Sequence, residues 1–148
     1  MEQKQKSEKS SAVLKRTFSE LQHVDVVVGQ IYADFPGLKE NTKFSYAYKR
    51  FLEKNFQPTL KEFQDAIAFV RLDNALEDEK TKEVLFDSTP GSRGYKYSKE
   101  GLRKCMEEEV KMIDKYNAKE IVIEPYISSQ VPEGLTKEQT EVLKGLVI

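Results

Sequence analysis

Residues 13–76, VLKRTFSELQHVDVVVGQIYADFPGLKENTKFSYAYKRFLEKNFQPTLKEFQDAIAFVRLDNAL, carry one apolar rhythm with a single strong interruption at Phe35-Pro36-Gly37. Two helices of this length joined by a short turn predict an antiparallel helical hairpin. The first begins near Ser10 or Ser11, either of which can cap it, and places Leu14, Phe18, Leu21, Val28, Ile31 and Phe35 on one face. Asp25-Val26-Val27-Val28-Gly29 is open to a strand reading, because β-branched residues lower helix propensity; helix is retained. Pro36-Gly37 ends the element, since proline disfavours helical geometry in the residue before it and glycine turns easily.

The second helix starts at Asn41 or Thr42 and runs through Phe44, Tyr48, Phe51, Leu52, Phe56, Leu60, Phe63, Ile67 and Val70 toward Leu76. From Phe56 onward the steps alternate between four and three, a seam suited to a coiled-coil-like partner. Pro58 predicts a kink or a fresh helix start, because it removes a donor and crowds the preceding turn. Phe44, Tyr48, Phe51, Phe56, Phe63, Ile67 and Val70 form the candidate interaction face. An aromatic line at helical spacing is first of all core, since helices bury aromatics for area. Truncating Phe63 or Ile67 to Ala is expected to cost about 2–5 kcal/mol if that seam is buried.

Beyond the charge run Glu77-Asp78-Glu79-Lys80-Thr81-Lys82, a smaller α+β part is expected. Val84-Leu85-Phe86 and Tyr95-Lys96-Tyr97 flank a reversing loop, so a β-hairpin is predicted, with Pro90, Gly91, Arg93 and Gly94 as an adaptable tip. Ser98 caps a third helix carrying Leu102, Met106, Val110 or Glu109, and Ile113. Residues 120–127 are the best strand, with Pro125 marking an edge or an early end. Thr136 and Gln139 form a capping box for a last helix. The fold class is therefore α+β: a helical hairpin over 11–80 and a small hairpin, helix, strand and helix part over 81–148, in one domain. Residues 1–10 read as a disordered basic tail.

Composition narrows the function classes. A chain of 148 residues suits one domain, and 33% charged against 39% apolar residues, with no Trp, favours thin helical layers over a thick core. A net charge of −1 argues against a general polyanion binder, which needs an excess of Lys and Arg. One cysteine excludes an internal disulfide, and no stretch approaches the roughly 20 apolar residues of a membrane span. An intracellular protein without membrane attachment is the expectation.

The search for chemistry is mostly negative. His23, the only histidine, has no carboxylate or cysteine beside it at ligand spacing. Cys105 follows Arg103 and Lys104 but has no marked base. Glu107-Glu108-Glu109 cannot share one helix face and reads as solvated surface, without the Glu-x-x-His pattern of a two-metal site. Gly91-Ser92-Arg93-Gly94 lacks the Lys-Ser or Lys-Thr of a phosphate loop. Lys49-Arg50 beside Tyr46 and Tyr48 is too common on amphipathic helices to mark a nucleic-acid site. No catalytic residue, metal or cofactor is expected.

The order of elements carries one further clue. Phe44-Ser45-Tyr46-Ala47-Tyr48-Lys49-Arg50 opening a long charged helix, then a polar gap, Tyr97-Ser98 leading to Glu108-Glu109-Val110, Glu120-Ile121-Val122-Ile123-Glu124 and a short closing helix, resembles a family of small uncharacterised tailed-phage proteins. The resemblance spans residues 12 to 148. It implies a phage genome and its structural or assembly genes, without catalytic residues. The expectation is a non-catalytic phage protein acting through protein contacts, as a minor virion component or assembly factor. It would work in the host cytoplasm or within the virion, as a homo-oligomer or on other phage structural proteins. A host-directed inhibitor of one host enzyme is the first alternative and a nucleic-acid accessory protein the second.

Overall fold

A computed structural model describes residues 14–127 and 131–147. The basic tail over 1–10 and the helix start at Ser10 or Ser11 lie outside the described residues. The fold is mixed α and β and mostly helical, with one two-stranded antiparallel sheet. Strand β1 (Lys15–Thr17) leads into α1 (Phe18–Asp34), followed by a short 3-10 turn (Pro36–Leu38) and α2 (Lys43–Phe51). A π turn (Leu52–Phe56) joins α2 to α3 (Gln57–Asp73). Then come α4 (Lys99–Asn117), strand β2 (Glu120–Val122) and α5 (Lys137–Leu143).

The chain divides into two compact units. The described residues up to Thr59, with those from Asn117 onward, form the first, and Leu60–Tyr116 form the second. The division falls inside the long helical stretch, so it does not follow the boundary near residue 80 that composition suggests.

In the first unit, helix α1 starts later than the sequence predicts. Thr17 accepts from the Glu20 amide while Glu20 accepts from the Thr17 amide, a reciprocal capping box. Leu14 to Thr17 are thereby released into extended backbone, and β1 pairs with β2 in the register Lys15 with Val122, Arg16 with Ile121 and Thr17 with Glu120. The valine run stays helical, with Val27 and Val28 buried. Tertiary burial outweighs the few tenths of a kcal/mol by which β-branched residues disfavour helix. Contacts between α1 and the next helical stretch run in opposite chain directions: Phe18 stacks on Phe56, Asp25 accepts from Tyr48, and Tyr32 meets Phe44 edge-on.

The π turn is the local answer to Pro58. Gln57 donates to the Leu52 carbonyl, five residues back, which places one extra residue in the turn just before the proline. On an uninterrupted helix Phe56 would lie about 140° around from Phe51; the extra residue returns it to the same face. Both rings are buried as a result. The buried Asn55 in that turn donates to the Glu124 carbonyl at 2.7 Å and accepts from the Glu124 amide at 2.9 Å, as a strand neighbour would. The long strand predicted over 120–127 is only three residues of ladder, ending ahead of Pro125.

In the second unit the predicted β-hairpin is reduced to an isolated bridge between Phe86 and Tyr95, with Glu77 and Val84 bridged beside it. Helix α4 begins where expected, Ser98 Oγ accepting from the Gly101 amide. Gly101 is required by close approach: a Cβ there would meet the Asn74 carbonyl oxygen at 2.9 Å. In the first unit, α5 carries the predicted Thr136–Gln139 capping box, and buried Gln139 also donates to Asp34.

Candidate functional site

The residues expected to form one interaction face are distributed over both units. Phe44, Tyr48, Phe51 and Phe56 are buried in the first, where the rings of Phe44, Tyr48 and Phe51 stack in succession. Phe63, Ile67 and Val70 belong to the second, with Val70 buried and the other two half-buried. Phe63 meets Tyr116 edge-on at 5.6 Å, and Phe63, Ile67 and Ile113 line a shallow groove of about 320 Å³.

The second unit is organised around a carboxylate that the sequence reading assigned to the surface. Glu109 is only 7% exposed. Its Oε2 accepts from Arg71 Nε at 2.7 Å, and both oxygens accept from Arg93 Nε, at 3.0 and 3.1 Å. Cys105 Sγ lies 3.8 Å from the same Oε2. Burial pushes the Glu109 pKa up, and the two guanidiniums more than offset that, leaving it below the ordinary carboxylate range. Burial and the neighbouring carboxylate push the Cys105 thiol up, so it is a poor nucleophile. Tyr97, which donates to the Arg71 carbonyl, is pushed up to about 12 by burial and then by Cys105.

Arg93 is thereby a structural clamp. It sits in the left-handed region at φ 65° between Gly91 and Gly94, a geometry that costs a non-glycine residue about 1–2 kcal/mol. Its side chain ties the loop of Pro90, Gly91, Arg93 and Gly94 to Glu109, and Ser92 Oγ donates to the Asp87 carbonyl at 2.6 Å. The loop expected to be an adaptable arm carries these anchors. A basic residue between two glycines, with a carboxylate on the apolar side of the next helix, was the available signal.

Phe69, Phe86 and Val122 are exposed apolar side chains elsewhere, and α4 carries four more in line. Cys105 and Glu109 define its covered face, while Leu102, Met106, Val110 and Ile113, spaced four, four and three, are 37%, 47%, 57% and 40% exposed. Four such side chains on one line of one helix form a contiguous apolar strip.

Elsewhere the first unit has a wider concavity of about 550 Å³ that includes Asp25, Tyr32, Tyr48 and Lys49. Tyr48 donates to Asp25 at 2.6 Å, and burial followed by that bond pushes its pKa well above the ordinary phenol value, so it is no base. His23 lies 3.5 Å from Glu138, with both side chains more than half exposed. Among the described residues there is no cluster of three or more metal-ligating side chains, and no helix is long and apolar enough to cross a membrane.

No protein-family model, curated protein or solved structure matches the chain.

Proposed function

We propose that this protein acts by binding another protein chain through the exposed apolar strip of α4, without chemistry of its own. The observation that carries this reading is the partial exposure of Leu102, Met106, Val110 and Ile113 on a helix whose adjoining face is fixed by Glu109. The aromatic hairpin over residues 18–56 then serves as scaffold, with the rings of Phe18, Phe44, Tyr48, Phe51 and Phe56 consumed by its own core. The ionisable groups of the second unit fit a structural role as well: Glu109 is held charged by two arginines, and buried Cys105 and half-buried Tyr97 are held neutral. In the setting implied by the phage resemblance, the protein is a minor virion component or an assembly factor.

Affinity capture of the tagged chain from cells that naturally produce it, compared with its Met106→Glu and Val110→Glu variants, tests this reading. Recovery of capsid, portal or tail proteins that both substitutions abolish is the expected result. A single host enzyme lost in the same way would move the function to host inhibition. The same partners retained by both variants would remove the strip from the contact.

A further inference from the structure

Each residue of the strip is followed immediately by a charged one: Leu102 by Arg103, Met106 by Glu107, Val110 by Lys111 and Ile113 by Asp114. At about 100° per residue these four charges form their own line along one flank of the strip. Read toward the C-terminus the line is plus, minus, plus, minus; read backward it is minus, plus, minus, plus. When two copies of such a helix pack antiparallel about a two-fold axis, the same flank of each meets the other in reverse order. Arg103 then faces Asp114 of the second copy, Glu107 faces Lys111, and each pair occurs twice. The apolar strip is matched at the same time, Leu102 against Ile113 and Met106 against Val110. In a parallel pairing this flank would face the partner's other flank, and the four charges would not meet one another.

From this charge complementarity we infer that the occupant of the α4 strip is a second copy of this chain, docked antiparallel across a two-fold axis. The inference rests on the reading of α4 as a contact surface and names its partner. All four charged side chains are exposed. Arg103 is already bonded within its own helix, to Glu100 and to Glu107, the latter at 2.6 Å. Such exposed pairs contribute little and exchange partners readily. The side chains of Lys111 and Asp114 have no hydrogen-bond or ion-pair partner among the described residues. The strip from Leu102 to Ile113 spans about 17 Å of helix at a rise of about 1.5 Å per residue. One helix face of that length covers less than the roughly 800 Å² per partner of a standard interface, so the dimer should dissociate on dilution.

Two charge-pattern variants of the full chain test this by sedimentation velocity across a concentration series, with circular dichroism to verify that each folds. Arg103→Glu with Lys111→Glu makes the flank uniformly negative, and Glu107→Lys with Asp114→Lys makes it uniformly positive. The unsubstituted chain is expected to dimerise, each variant alone to lose at least tenfold in association, and an equimolar mixture to recover the dimer. A natural chain that stays monomeric at every concentration, or a mixture that associates no better than its components, overturns the self-pairing. If self-pairing holds, virion proteins lost from the Met106→Glu and Val110→Glu captures are held by the dimer; if it fails, they occupy the strip themselves.

Discussion

Phe44, Tyr48 and Phe51 of α2 and Leu102, Met106 and Val110 of α4 recur at nearly the same helical spacing, yet the first set is buried and the second is exposed. Helical periodicity identifies a face; it does not say what covers it. In the first unit Phe18 and Tyr32 supply rings for the α2 stretch to stack against. In the second unit the covered face of α4 lies one residue back, where Cys105 is fully buried and Glu109 gathers Arg71 and Arg93. One unit is held by aromatic area and the other by a desolvated charge cluster, and the apolar line of α4 is left over from the second solution.

The largest effect should come from the aromatic side. Phe51→Ala removes a ring that is 1% exposed and is expected to lower unfolding free energy by about 3–5 kcal/mol in urea denaturation. A loss below about 1 kcal/mol would remove the distinction drawn between the two units. Next is Glu109→Gln, which leaves two half-buried guanidiniums without their counter-charge and should cost about 1–3 kcal/mol at neutral pH. The pH dependence gives that prediction its sign. The folded pKa of Glu109 is depressed, so its stabilisation is present above the ordinary glutamate range near about 4.3 and disappears as pH falls through the folded value. The stability gap between the natural protein and Glu109→Gln should therefore narrow in acid; a gap independent of pH would show that packing, not charge, holds the cluster. Ile67→Ala should cost only about 1 kcal/mol, because Ile67 is half-buried beside an open groove. That is less than a fully buried seam would demand. Smallest of all, Val110→Glu should change stability by no more than about 0.5 kcal/mol, as befits a side chain 57% exposed; a larger loss would place it in the core.

What the sequence made legible was local. Ser98 and Thr136 were readable as caps, and Thr42 as one of two candidates with Asn41, because the side chain and the amide it satisfies lie three residues apart. Phe35-Pro36-Gly37 was readable as a turn for a similar reason. Leu14 to Thr17 were misread as helix because the partner that holds them extended lies about a hundred residues away, at Glu120 to Val122. Glu109 was read as solvated because it belongs to a run of three glutamates, and its two arginines come from segments 38 and 16 residues distant. For the interaction face, the aromatic positions were identified but their covering was not, since coverage is a property of the other side of the contact.

The π turn over Leu52–Phe56 sets helical regularity against stability. Straightening it into ordinary helix at unchanged length would turn Phe56 away from Phe18 by about 100° and carry Asn55 off the Glu124 backbone. Such a chain would be easier to coil locally and harder to fold. Loss of one of the exposed residues Glu53 or Lys54 would instead leave Phe56 four positions after Phe51 on an unbroken helix, so this segment should tolerate that single deletion and no added residue.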